Sequence, residues 1–166
     1  LVSVAVNWFA ALKPVEELSD MLDDWHFRED TGGELIQHFC HVFDWLRDLG
    51  GEFSEISAMS NHTVHAGLPI EDTWDINLRY RSGAVANFHS SQNNPRRTEL
   101  GWIEGSEGSL EWEWSDPSSI RLFDRKRSKK QGAEEVSIED PGYAPLTYGF
   151  VRFLRSVIEG TACDIN

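Results

Sequence analysis

The stretch Thr31-Gly32-Gly33-Glu34-Leu35-Ile36-Gln37-His38-Phe39-Cys40-His41-Val42-Phe43-Asp44-Trp45-Leu46-Arg47-Asp48-Leu49-Gly50-Gly51 decides how this chain is read. Glycines open and close it. Between them Leu35, Ile36, Phe39, Val42, Phe43, Leu46 and Leu49 recur at the i, i+3, i+4, i+7 spacing of one helix face. The pattern predicts a single buried-stripe helix over Glu34–Leu49, with Gly50-Gly51 as its C-terminal stop. Gln37, His41 and Asp44 fall on another side, within a narrow sector at about 3.6 residues per turn.

Upstream, residues 1–9 carry β-branched and aromatic types and predict a strand that exits through Asn7-Trp8-Phe9. From Pro14 to Asp24 the spacing of Leu18, Met21, Leu22 and Trp25 predicts a short acidic helix. Lys13-Pro14 ends one element and starts the next, and receives no catalytic role.

Downstream the character turns to β. Strands are predicted over Glu55–Ser60, Thr73–Arg81, Ala84–Ser91, Glu99–Glu104, Ser109–Trp114, Ile120–Asp124 and Glu135–Ile138, most joined by hairpin-length turns such as Arg81-Ser82-Gly83. A closing helix is predicted over Thr147–Glu159, with Phe150, Val151, Leu154, Val157 and Ile158 on one face and Gly160 as its cap. Helices first, meandering strands next and a helix last describe one α+β domain over 1–166: a large, mostly antiparallel sheet covered by helices on one face. Trp74, Ile76, Leu78 and Tyr80, followed by Ala84, Ala86 and Phe88, suggest apolar side chains on both registers. The open face is then available for homo-oligomerisation.

Fifteen Lys and Arg against 28 Asp and Glu give a net charge of -13, which repels nucleic acid and anionic membrane surfaces. The basic run from Arg125 to Lys130 reads as a solvated hairpin tip. Two cysteines, Cys40 and Cys163, form no disulfide framework and fit a reducing, cytoplasmic setting. No signal peptide and no apolar run near the ~20 residues of a membrane span is seen, so Asn61-His62-Thr63 reads as a chance sequon. The apolar start at Leu1-Val2-Ser3-Val4 reads as an excerpt from a longer protein.

The dinucleotide pattern G-x-G-x-x-G is absent, since Gly101, Gly105 and Gly108 have the wrong spacing within a hairpin. Proton chemistry is concentrated on the helix: a histidine titrates near neutral pH, and a carboxylate one turn away can fix its tautomer, as Asp44 could for His41. An ordinary polar helix face gives the same pattern. His38, His41 and Asp44 have a spacing that could converge on zinc, but the His-Glu-x-x-His signature is missing, and no metal is expected.

Three stretches resemble the C-terminal domain of the Gfo/Idh/MocA oxidoreductases, the family of glucose-fructose oxidoreductase and inositol dehydrogenase. Gly32–Leu46 is similar to a glycine-rich helix entry carrying Asp, then His four residues on, then Asp three further. Asp72–Val85 looks like the central hairpin, and Ile103–Glu111 looks like the Gly-x-Glu-Gly-Ser-Leu turn. Their order and spacing agree over nearly the whole chain. The resemblance implies an N-terminal Rossmann domain, outside this chain, that binds NAD or NADP and supplies a lysine, while this domain supplies the pocket for a small-molecule substrate such as a sugar or polyol.

Residue by residue, the resemblance gives His41 the contact with the reacting hydroxyl or carbonyl and Asp44 the acidic position after it. Gln37 stands where many members have Asp and cannot accept a proton; Phe39 stands where many have Gly. Arg28, in Trp25-His26-Phe27-Arg28, lies in the segment near the substrate pocket of relatives. Trp25, Arg28 and His38 are therefore candidate substrate contacts. His62, His65 and His89 read as structural. Two alternatives stay open: a non-catalytic binding or oligomerisation module, and an enzyme that holds NAD tightly and shows no net oxidation.

Overall fold

The computed structural model describes residues 1–11, 25–62, 64–65, 67–113, 116–126, 132–136, 154 and 156–161. The chain divides into two compact units, 1–136 and 137–166. The helix expected over Pro14–Asp24 lies outside the described residues, as does most of the closing helix. Of the latter, Leu154 and residues 156–159 are helical, and Val157 and Ile158 are exposed.

The first unit is built on an eight-stranded sheet of order β2-β3-β4-β1-β5-β6-β7-β8. Its strands are β1 Ser3–Ala11, β2 Phe53–Asn61, β3 Thr73–Tyr80, β4 Val85–Ser91, β5 Asn93–Glu104, β6 Gly108–Glu113, β7 Asp116–Asp124 and β8 Glu134–Glu135. The α+β class and the mostly antiparallel sheet agree with the sequence reading, and short connections do join antiparallel neighbours from β5 to β7. Of the basic run after Asp124, Arg125 and Lys126 are exposed turn residues, and the rest lies outside the described residues.

The position of β1 departs from a plain meander. It lies between β4 and β5, parallel to the first and antiparallel to the second, although only Gln92 separates those two strands in sequence. The chain after Ser91 therefore turns around the end of β1, where the pairing shifts between Phe9 and Ala11. Val4, Ala5 and Val6 are buried there, as a strand flanked on both sides requires.

On β3, Trp74, Ile76, Leu78 and Tyr80 are buried, and their partners on β4 are Ser90, Phe88 and Ala86 for the first three. The two apolar runs read from the sequence as opposite registers are thus one face, because facing residues of paired strands point the same way. The other face of this hairpin is polar: Asn87 donates from Nδ2 to Asp75 Oδ1 at 3.2 Å and to Asn77 Oδ1 at 3.0 Å.

The expected Glu34–Leu49 helix is two pieces, α1 Gly33–Gln37 and α2 Cys40–Gly50. The carbonyl of Glu34 accepts from both His38 N at 3.0 Å and Phe39 N at 3.2 Å. An i−4 and an i−5 bond on one acceptor make a single widened turn of the π type, which inserts a residue into the helix and changes its phase. Phe39 is thereby turned fully into the core, where its ring meets Trp8, Trp74 and Phe88. Ile36 and Leu49, expected on the buried stripe, are exposed.

Both ends of this segment are tied down. Gly33, at φ 58°, packs so closely on Ile70 that a side chain would collide with it. At the far end the Tyr80 hydroxyl donates to Leu46 O at 2.8 Å, and its ring occupies the space a side chain on Gly50 would need.

A buried carboxylate anchors the loop before β3. Asp72 is fully buried and accepts hydrogen bonds from His65 N at 3.0 Å, Thr73 Oγ1 at 2.9 Å and Asn93 Nδ2 at 3.0 Å. Burial opposes its charge, but these donors outweigh burial and hold the carboxyl below the usual range. A group whose folded-state pKa is depressed contributes stability above its unfolded value of about 3.9 and loses it as pH falls through the folded one. Acid titration of thermal stability should therefore steepen below the ordinary carboxylate range, and Asp72→Asn should flatten that slope. An unchanged slope would contradict this. His65 is 5% exposed, with Nδ1 3.4 Å from Asp72 Oδ2 and without a hydrogen-bond partner among the described residues.

Candidate functional site

The widened turn separates the residues expected to share a helix sector. Gln37 ends α1, and its Nε2 donates to Thr31 O at 2.7 Å. His41 and Asp44 lie on α2, beyond the inserted residue, and both are exposed. Neither makes a side-chain hydrogen bond or ion pair among the described residues. Asp44 instead borders an open, mostly apolar hollow with Leu35, Ile36, Cys40, Phe43, Arg47 and Phe53.

His38, one residue from Gln37, has a different setting. Its Nδ1 lies 3.0 Å from Glu34 Oε1, a carboxylate whose side chain is only 11% exposed. The imidazole stands edge-on to Trp8 with centroids 4.6 Å apart and packs beside Phe39 at 5.8 Å. Since an ionised carboxylate only accepts, Nδ1 carries a hydrogen in this pair, which leaves Nε2 as the acceptor whenever the ring is neutral. With its side chain 35% exposed, the ring is both held and reachable. This is the carboxylate–histidine geometry the sequence reading sought between His41 and Asp44; the structure provides it at i, i+4 between Glu34 and His38. That spacing was visible in the sequence, but an acid in a helix's first turn also serves the helix dipole.

The remaining candidates sit on the approach to α1. Arg28 is held by its near neighbour Asp30, Nε donating to Oδ1 at 2.9 Å and the terminal nitrogen to Oδ2. That hydrogen bond also lowers the Asp30 carboxyl below its ordinary value. Two of the three guanidinium nitrogens are thus engaged in shaping the loop. Trp25 is half exposed, and its carbonyl accepts from Thr31 Oγ1.

β1 supplies the floor. Strand register aligns Trp74, Ser90, Trp8 and Glu99 in one row across β3, β4, β1 and β5, on the helix-covered face. Ser90 is fully buried, and its hydroxyl has no partner among the described residues. Glu99 escaped the sequence reading, because only the pairing of two distant strands reveals that it adjoins Trp8. Among the described residues no group of three or more His, Cys, Asp or Glu could hold a metal ion, and no helix is long and apolar enough to cross a membrane.

Comparison with known proteins gives this arrangement a context. Residues 4–111 match the family described as GFO/IDH/MocA C-terminal domain. Among solved structures, levoglucosan dehydrogenase in complex with NADH and levoglucosan is similar at TM-score 0.78 and 19% identity, over 98% of this chain and 50% of that one. An oxidoreductase domain protein from Kribbella flavida follows at TM-score 0.74 and 18% identity, over 98% and 52%. An oxidoreductase from Thermotoga maritima is similar at TM-score 0.70 and 21% identity, over 99% and 45%. The chain spans about half the length of these structures, and at such identities the likeness is one of fold. No curated protein matches.

Proposed function

The chain belongs to the GFO/IDH/MocA C-terminal domain family, and from that premise we propose that it is the substrate-side domain of an NAD- or NADP-dependent oxidoreductase. Its substrate is a sugar, polyol or related hydroxy compound. The complex of the structurally similar levoglucosan dehydrogenase with NADH and levoglucosan supports this reading. The observation that carries it is the oriented imidazole of His38, hydrogen-bonded to a buried carboxylate and set against Trp8 on the strand that floors the site.

The donor set fits a nicotinamide reaction: an imidazole with a free ring nitrogen takes the hydroxyl proton while the carbinol carbon loses its hydride. A nicotinamide coenzyme, when bound, would supply the acceptor or donor of that hydride. His38 Nε2 accepts the proton, and Glu34 stabilises the imidazolium that forms and keeps the ring from rotating. Gln37, tied to Thr31, holds the turn and takes no part in proton transfer. His41 and Asp44 line the outer, exposed side of α2, where they border the substrate or the covering half of the protein. Trp25 closes the approach. Trp102 and Val85, exposed on the open sheet face, support assembly with a second copy there.

A non-catalytic binding module is favoured by one feature, the amide at Gln37 in place of an acid. Coenzyme binding tests the main reading. Isothermal calorimetry on the full-length protein should show NADH or NADPH binding, or nucleotide should be released on denaturation if coenzyme is held permanently. Absence of both would remove the oxidoreductase reading.

A further inference from the structure

The register of β1 and β5 sets Glu99 directly across from Trp8 on the helix-covered face, where Val4 faces Ile103 and Val6 faces Gly101. Facing residues of antiparallel strands have Cβ atoms about 5 Å apart. The Trp8 ring also meets His38 in a T-shaped contact, with centroids 4.6 Å apart. Trp8 thus neighbours a carboxyl through strand pairing and an oriented imidazole through its ring.

Glu99 is half-buried and makes no hydrogen bond or ion pair among the described residues. Burial pushes its carboxyl up from the usual range, against a weaker pull from Arg97 two residues along the same strand. A carboxyl buried for structure is ordinarily paired, as Asp72 is in this same unit. One that stands half-covered beside an aromatic ring has its hydrogen-bonding capacity unspent.

We infer that Glu99 is a ligand-contacting residue that hydrogen-bonds the hydroxyl groups of a sugar or polyol lying against Trp8. The inference rests on the proposed function and specifies its substrate chemistry. An indole covers the apolar C–H face of such a ring, and two carboxyl oxygens match two neighbouring hydroxyls. A carboxylate or phosphate group on the ligand is excluded from this end by like charge. Glu99 thus sets specificity, while His38 handles the proton.

The test uses D-glucose and myo-inositol as separate probes, titrated into the chain while the Trp8 indole N–H is followed by NMR and assigned with Trp8→Phe. At least one probe should shift that signal. Glu99→Leu, which keeps the volume, should weaken binding by about tenfold, the worth of one or two hydrogen bonds. Glu99→Gln should retain most of the affinity. No Trp8 response to either probe, or equal affinity in Glu99→Leu, would overturn the assignment; so would a Glu99→Gln loss as large as that of Glu99→Leu. Coenzyme calorimetry on the full-length protein fails or succeeds separately. A Trp8 response that depends on Glu99 without coenzyme binding would remove the oxidoreductase reading alone, and the converse would remove Glu99 alone.

Discussion

His38→Gln in the full-length protein should lower kcat by about 10²- to 10⁴-fold, the usual contribution of a positioned general base. Coenzyme affinity should not change, because the ring's contacts are with Glu34, Trp8 and Phe39. Glu34→Gln preserves the shape and an acceptor for Nδ1 but removes the charge beside the developing imidazolium. It should reduce kcat by a smaller factor and leave KM nearly constant, the signature of an interaction made in the transition state. His41→Gln should stay within several-fold of the parent protein, since His41 is exposed and makes no side-chain hydrogen bond among the described residues. The opposite ranking, with His41 essential and His38 dispensable, would return the proton to the position the family resemblance indicates.

The largest effect on stability should come from Phe39→Ala. Phe39 is fully buried and makes edge contacts with Trp8, Trp74 and Phe88 at 5.6, 5.5 and 4.9 Å. Truncating a buried Phe to Ala typically costs 3–5 kcal/mol, about 10 °C or more in Tm for a domain of this size. Urea denaturation should show a lower midpoint at an unchanged m value. The substitution also removes what seats the widened turn, so the His38–Glu34 contact should loosen even in protein that remains folded. A loss below about 1 kcal/mol would mean that the widened turn relaxes into a regular helix without Phe39.

That turn marks the boundary between what the sequence discloses and what it hides. The apolar period from Leu35 to Leu46 correctly announces helix, and the glycines at 32–33 and 50–51 correctly bound it. An inserted residue leaves such a pattern almost intact, because several turns still repeat on either side. What changes is phase, which decides whether Gln37 and His41 share a sector. Local pattern carries no record of it; the packing of Phe39 against three rings does.

The sheet shows the same division. Alternation in Thr73–Tyr80 and Val85–Ser91 fixes strands and turns, since it reflects local burial. The insertion of β1 between β4 and β5 depends on pairings nearly a hundred residues apart, such as Val4 with Ile103. The same pairing brings Glu99 to Trp8, so the residue least visible in the sequence owes its place to the least local contact.

Hydride transfer tests the central claim most directly. The full-length protein, given NAD⁺ or NADP⁺ and a sugar or polyol deuterated at its carbinol carbons, should yield reduced nicotinamide carrying deuterium, and His38→Gln should form it far more slowly with coenzyme still bound. Coenzyme bound normally, with no deuterium transferred from any neutral hydroxylated substrate or with His38→Gln as fast as the parent protein, would contradict the account.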